Sequence, residues 1–277
     1  DTTTGAIRAI GGARNFGTDL PLNYSINKGR SPGSAAKPLV SYGPAIENLK
    51  WSTGQTTVDE KMTYPKSSQV ITNWDGKYNG TMTIREALYT SRNVPAVKTL
   101  IDVGYDKSKA FLSNVGIKMK NIYPSSALGS EVHISPVQMA ASYAAFGNNG
   151  VYTDGHAITK IIYRDGVTSK NYTPTATPAM EDYTAYMVTD ILRDTLSNLP
   201  GASAGAANVS GVDIAGKTGT SNYSSEDFAK HDLPKSSVPD AWFAGYTASY
   251  SIAIWSGYKD YSTPITTWPE RRLSQTL

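Results

Sequence analysis

The 277-residue chain contains no cysteine. That excludes disulfides, thiolate metal sites and a cysteine nucleophile, and it suits an oxidising extracytoplasmic space. Histidine is scarce: His133, His156 and His231 are far apart and lack ligand spacing, so no metal and no cofactor is expected. No apolar run reaches the roughly 18 to 20 residues of a membrane helix, and no signal-peptide pattern is present. Charge of one sign is also sparse. The net charge is +3 with no lysine or arginine block, so a nucleic-acid partner is not expected.

What remains is an ordinary globular composition, 39% hydrophobic and 18% charged, long enough for one large domain or two intimate lobes. Asp1-Thr2-Thr3-Thr4-Gly5 reads as a hairpin turn, with Gly5 at positive φ. Residues 5–12, GAIRAIGG, read as a short strand. A turn of this kind needs a strand before it, so the chain reads as cut from a larger protein.

Residues 34–49 read as a helix, with Pro38 tolerable only in its first turn. Residues 52–82 are rich in Thr, Ser, Gly, Asn and Pro and read as irregular. Thr83-Ile84-Arg85-Glu86 is a capping box that opens a helix to about Tyr89. Ser91-Arg92-Asn93 follows as a loop, and Pro95 opens the next helix, which stops at Gly104. Further helices are expected near 106–114, 135–147 and 181–197, with a small β excursion over 151–173. VDIAGKTGTS, AWFAGYTAS and YSIAIWSGY read as three strands, the last two paired as a hairpin. The pattern implies an α/β lobe (about 1–50 and 190–277) split by an all-helical lobe (about 51–189).

Two serines in GRSPGSAAKPLV compete as nucleophiles. Ser31 matches a G-x-S-x-G elbow. In that elbow the residue after the serine supplies an oxyanion-hole N–H, and here it is Pro32, which has none. A second match around Ser203 follows a helix and a proline, not a strand. Ser34 with Lys37 forms S-x-x-K, which occurs three times, at Ser25/Lys28, Ser34/Lys37 and Ser256/Lys259. S-x-N also occurs three times, at Ser25, Ser91 and Ser169, whereas K-T-G is unique, at Lys217-Thr218-Gly219. Order and context decide. Ser34 opens a helix, Ser91 lies between two helices and Lys217 lies on a strand. Ser25 precedes any expected helix, and on a strand Ser256 and Lys259 point to opposite faces.

This triple resembles the motif set of penicillin-binding proteins. NWDGKYNGTMTIREALYTSRNVPAVKTL is similar to the stretch leading into the second motif of the class A group. AGKTGTS with DAWFAGYT is similar to their third motif and the next strand, and ISPVQMAASYAAFGNNGVY to their inter-lobe helix. The resemblance covers nearly the whole chain. It implies a penicillin-recognising serine transpeptidase fold, a mainly antiparallel sheet flanked by helices with a helical insert. It further implies peptidoglycan stem peptides ending in D-Ala-D-Ala as substrate and acylation by β-lactams. In the full-length protein it implies an extracytoplasmic location with a membrane helix and a glycosyltransferase domain upstream. Three departures stand out: Ala35 and Ala36 inside the first motif, the long stretch 222–239, and the missing upstream segments.

A serine hydroxyl needs a base. Lys37, three residues on, serves only if neutral, which asks for a pKa drop of roughly 3 units, or about 4 to 5 kcal/mol. Burial and a second cation, Lys217, are the expected means. Ser91 is expected to bridge the lysines and pass a proton to the leaving amine, and Asn93 to hold the acyl side chain. Backbone N–H groups of Ser34 and, by the resemblance, Thr220 form the expected oxyanion hole. Lys217, Thr218, Gly219 and Thr220 form the expected seat of the terminal carboxylate. The rivals are a β-lactamase and a β-lactam-sensing domain of the same fold. None of the seven glutamates lies in an E-x-x-L-N loop of the kind class A lactamases use to deacylate. The stretch 222–239 is expected to be a mobile surface loop flanking the cleft that shapes acceptor access, with Ala35 acting in the same region.

Overall fold

The computed structural model describes residues 1–12, 23–27 and 29–276. The opening turn forms: Gly5 has φ +74° and its N–H donates to the Asp1 carbonyl. The strand expected over 5–12 does not. Ala6 makes one isolated bridge to His156, and residues 8–11 are exposed, with no sheet face to cover. A four-residue helix, α1 (Tyr24–Asn27), contains Ser25, which had been expected to precede any helix. The Ser25 hydroxyl donates to the Gly11 carbonyl at 2.6 Å, and Lys28 lies outside the described residues.

From Gly33 to Leu49 the chain is helical in three registers. A 3₁₀ turn (Gly33–Ala36) passes through a π-turn (Pro38–Tyr42) into α2 (Gly43–Leu49). Pro38 follows the first turn, where a missing N–H is cheapest, and its carbonyl accepts the Gly43 N–H.

The stretch 52–82, expected to be irregular, instead folds into two short antiparallel ladders. β1 (Thr56–Asp59) pairs with β4 (Gly80–Thr83), and between them β2 (Met62–Thr63) pairs with β3 (Val70–Ile71). No apolar alternation marks these strands; a buried carboxylate, Asp59, organises them. Thr83 caps α3 (Ile84–Tyr89), its hydroxyl accepting the Glu86 N–H at 3.1 Å. The next helix, α4 (Asn93–Val103), starts two residues before Pro95. Then come α5 (Tyr105–Asn114) and α6 (Pro136–Gly147), the latter opened by a reciprocal Ser135/Gln138 capping box.

The β excursion consists of β5 (Val151–Tyr152), β6 (Lys160–Ile162), β7 (Ser169–Asn171) and β8 (Thr177–Pro178). They pair β5 with β8 and β6 with β7. After α7 (Asp182–Asp194) comes β9 (Ala215–Thr220), then α8 (Ser225–Lys230), β10 (Asp240–Tyr246), β11 (Ser251–Gly257) and α9 (Trp268–Thr276).

The principal sheet is antiparallel in the order β11-β10-β9, with Ala244 opposite Lys217 and Trp242 opposite Gly219. Every residue of β10 is buried. Trp242 and Tyr246 join Leu39, Ile46, Leu100, Phe146 and Val188 in one hydrophobic core, so sheet and helices share it. Because β9 is an edge strand, one side of its backbone is free of β10 and lies against the Gly33–Ala36 turn. The stretch 222–239 has more anchorage than its composition suggested. Tyr223 is buried and its hydroxyl donates to the Tyr261 carbonyl at 2.7 Å, Val238 bridges Ile265, and Ser224 caps α8.

Candidate active site

The nucleophile turn and the K-T-G strand meet through glycines. A Cβ placed on Gly219 would stand 2.0 Å from the Pro32 carbonyl oxygen. One on Gly33 (φ +54°) would stand 2.2 Å from the Thr220 carbonyl oxygen and 2.7 Å from its nitrogen. Only residues without a side chain let the two backbones approach this closely. Ser34 is therefore set beside Thr220. The 3₁₀ turn adds a second alignment: side chains at i and i+3 eclipse, and the Lys37 N–H donates to the Ser34 carbonyl. Ser34 is half-buried while Lys37 is fully buried.

On β9, alternation puts Lys217 and Gly219 on one face. Thr195 fixes the strand from behind, its hydroxyl donating to the Gly216 carbonyl at 2.6 Å. Thr218 is half-buried and Thr220 exposed. Between α3 and α4, Ser91 has φ +60°, a left-handed backbone that is costly for a residue with a side chain. This conformation aims it at both lysines. Lys37 Nζ donates to the Ser91 carbonyl at 2.7 Å and to Asn93 Oδ1 at 2.7 Å, and lies 3.3 Å from Ser91 Oγ. Lys217 Nζ donates to the same hydroxyl at 2.9 Å. One serine oxygen thus sits between two lysine amines.

Both lysines have 0% exposure, and among the described residues neither makes an ion pair. Burial of an unpaired ammonium favours its neutral form. The Lys37 pKa is held well below the ordinary lysine value, by burial first, then by the Lys217 and Arg92 charges, with Asp59 opposing. Burial alone brings Lys217 down to about 7.

The structure brings Ser34, Lys37, Ser91, Asn93, Lys217, Thr218, Gly219 and Thr220 close together, through the lysine hydrogen bonds and the approach of the Gly33–Ala36 turn to β9. Of the competing serines, Ser31 Oγ donates to the Gly129 carbonyl at 2.9 Å, and Ser256 lies on β11. It also reveals partners that sequence reasoning missed. Tyr143 Oη on α6 donates to the Ala35 carbonyl at 2.7 Å, and Ser203 Oγ lies 3.5 Å from Lys217 Nζ. Tyr143 carries no motif signal, and Ser203 carries only the elbow match set aside above. Ala35 is fully buried, its methyl against Gly219, so it is a packing residue and not a group of the cleft. Among the described residues no cluster of three or more His, Cys, Asp or Glu is placed to hold a metal ion.

The model of the penicillin-binding protein transpeptidase domain matches residues 1–256. The chain belongs to the penicillin-binding protein transpeptidase family. It is 39% identical over 262 residues to penicillin-binding protein 1A/1B of Bacillus subtilis, covering 93% of this chain and 28% of that protein. It is also 39% identical over 276 residues to penicillin-binding protein 1A of Streptococcus pneumoniae, covering 96% of this chain and 38% of that one. The chain thus spans well under half the length of these relatives. The transpeptidase fold recurs in penicillin-binding protein PonA1 of Mycobacterium tuberculosis at TM-score 0.76 and 20% identity, over 96% of this chain and 70% of that one. It recurs also in the penicillin G acyl-enzyme complex of penicillin-binding protein A from M. tuberculosis, at TM-score 0.67 and 19% identity, over 84% and 56%.

Proposed function

We propose that this transpeptidase domain is a serine D,D-transpeptidase that joins peptidoglycan stem peptides through a Ser34 acyl-enzyme, and that β-lactams acylate the same serine. The observation that carries the reading is the Ser91 hydroxyl between two fully buried, unpaired lysines, 3.3 Å from Lys37 Nζ and 2.9 Å from Lys217 Nζ. A site that only bound a peptide has no use for a buried lysine amine biased towards its neutral form.

In the proposed reaction Ser34 Oγ attacks the carbonyl carbon of the penultimate D-Ala as neutral Lys37 takes its proton. The Ser34 and Thr220 N–H groups receive the developing oxyanion, and loss of one such donor typically costs about 10² to 10³ in rate. Ser91 relays the proton from Lys37 to the departing D-Ala nitrogen as the C–N bond breaks. An acceptor amine then attacks the ester, returning the proton to Ser34. Asn93 holds the acyl side chain. Lys217, Thr218 and Thr220 seat the terminal carboxylate, and Gly219 gives their strand its close approach. We assign one lobe to about 1–50 with 190–277 and the other to about 51–189. We read the full-length protein as acting in cell-wall synthesis outside the cytoplasm, held at the membrane by a segment outside residues 1–277; the likeness to proteins named penicillin-binding protein 1A/1B and 1A supports this reading. No described helix is long and apolar enough to span a membrane.

The test is intact-mass analysis and peptide mapping after exposure to benzylpenicillin. One adduct is expected, on Ser34, absent from Ser34→Ala. Lys37→Arg should be nearly inactive, because arginine keeps charge and reach but cannot be deprotonated. Label on another serine, or acylation of Lys37→Arg within tenfold of the parent, would overturn the assignment. Turnover of a D-Ala-D-Ala-like thioester that rises with added amine separates a transpeptidase from a sensor, and rapid penicillin hydrolysis would mark a β-lactamase.

A further inference from the structure

Ser91 holds a strained backbone conformation, φ +60°, at the centre of the proton path, and something must keep it there. Behind it lies a buried polar assembly. The Arg92 side chain, 1% exposed, turns away from the cleft. Its Nε donates to Asp59 Oδ2 at 2.8 Å, its Nη1 to Asp75 Oδ2 at 2.9 Å, and its Nη2 to the Lys77 carbonyl. Asp59 on β1 is equally buried. Its Oδ1 accepts Asn73 Nδ2 at 2.8 Å, and its Oδ2 also accepts the Asn79 N–H at 3.1 Å. Asn73 closes the circuit: its Oδ1 accepts the Asn93 N–H at 2.7 Å. Asn93 Oδ1 in turn accepts Lys37 Nζ at 2.7 Å, and its Nδ2 donates to the Thr72 carbonyl at 2.7 Å. A continuous chain of hydrogen bonds therefore runs from the Lys37 amine through Asn93, Asn73 and Asp59 to Arg92, which is bonded covalently to both Ser91 and Asn93.

We propose that Asp59, Asn73 and Arg92 are positioning residues for acyl transfer. They form a buried frame that holds the Ser91 hydroxyl and the Asn93 amide on the Lys37 amine and sets the balance of charge around it. None of the three touches the reacting atoms. The inference rests on Lys37 as the base of the reaction proposed above.

The frame has a property that mere scaffolding lacks: its two charges act on Lys37 with opposite sign. The groups that face Lys37 are Lys217 from β9, Arg92 from the turn between α3 and α4, and Asp59 from β1. The two cations oppose its protonation and the carboxylate favours it. Removing Asp59 or Arg92 should therefore move the pH dependence in opposite directions, whereas loss of structure would lower the rate at every pH.

The experiment measures benzylpenicillin acylation of this chain by stopped flow across pH, normalised to folded protein by active-site titration. Asp59→Asn keeps shape and removes the anion, so the acid limb should move to lower pH by about one unit. Arg92→Gln leaves the Asp59 charge less compensated and should move it up by about one unit. The double variant should return it towards the parent. Asn73→Ala changes no charge, so the rate should drop about tenfold at all pH values with the limb unmoved. If Arg92→Gln fails to fold, Asp59→Asn and Asn73→Ala still decide. An unmoved or raised limb in Asp59→Asn, or a full rate in Asn73→Ala, overturns the frame. A parent chain with no acid limb, or with no adduct on Ser34, overturns the base assignment and the frame with it.

Discussion

A methyl group at Gly219 would stand 2.0 Å from the Pro32 carbonyl oxygen, 3.0 Å from the Ala35 nitrogen and 3.1 Å from the Ala35 Cβ. Ordinary contact between such atoms begins at about 3.5 Å, so Gly219→Ala demands a separation of roughly 1.5 Å between β9 and the nucleophile turn. The obstructing atoms are mostly backbone and cannot rotate away. The turn cannot retreat either. Tyr143 holds the Ala35 carbonyl at 2.7 Å, and a Cβ on Gly129 would already stand 2.5 Å from the Gly33 nitrogen. The strand must then move, carrying Lys217 away from Ser91 and Thr220 away from Ser34. A misplacement of about 1 Å costs on the order of 100-fold in rate, and overpacking costs about 1–3 kcal/mol of stability. Gly219→Ala should therefore lower the benzylpenicillin acylation rate about 100-fold or more and also lower the urea midpoint. Gly205→Ala is the control, since its Cβ would meet nothing within 4 Å. If Gly219→Ala is acylated within threefold of the parent, the close approach does not position the site.

Two further outcomes follow from the buried groups. Lys217 titrates at about 7 in the fold but near 10.4 unfolded, so between these values the unfolded chain binds more protons and stability rises with pH. The gain reaches about 5 kcal/mol at roughly 1.36 kcal/mol per unit. Below pH 7 the cost of the buried charge is fully present. Lys217→Met should abolish acylation, raise the denaturation midpoint at pH 7 and flatten this slope; an unchanged slope would refute the buried-cation account. Ser91→Gly and Ser91→Ala both remove the bridging hydroxyl, but only glycine relieves the left-handed backbone. The glycine variant should be more stable by about 1 kcal/mol, and equal urea midpoints would show that the strain is absent.

The residues of the proposed site could be picked out in the sequence because the chemistry proposed for them is carried by residue type at short spacing. Ser34 and Lys37 lie three apart, Ser91 and Asn93 two apart, and Lys217 is followed directly by Thr218 and Gly219. The helices and the three sheet strands were legible because apolar periodicity, caps and prolines mark them locally. What failed to show has a common cause. β1 to β4 are strands of two to four residues, and Asp59 at the end of β1 is held by Asn73 and Arg92 from outside them. Residues 5–12 read as a strand from the sequence but, among the described residues, make one isolated bridge, Ala6 to His156. Tyr143 reaches Ala35 across 108 positions of sequence, and Ser203 reaches Lys217 across 14. Contacts of this kind depend on the assembled fold and leave no periodic trace.

The clearest distinction between structure and chemistry in this chain lies in how it buries its cations. Arg30 is buried beside Asp240 at 2.6 Å, and Ser221 and Trp255 donate to the remaining positions of that carboxylate. Arg92 is buried against Asp59 and Asp75. Each arginine meets a carboxylate with directed hydrogen bonds, the arrangement under which a buried charge is tolerable. Lys37 and Lys217 are buried as deeply and, among the described residues, meet neutral acceptors, Ser91, Asn93, Ser203 and the Thr218 carbonyl. The nearby carboxylate that acts on Lys37, Asp59, is already engaged by Arg92 and Asn73. Around Ser91 there are thus three basic side chains and two carboxylates, one of them partly exposed. Three full positive charges cannot be held there without a large desolvation cost. The least costly way to lower that charge is to deprotonate a lysine, because the arginine cannot lose its proton. In the proposed reaction a neutral amine three residues from Ser34 is what the attacking hydroxyl requires, and two buried lysines without a directly bonded carboxylate among the described residues suit that role.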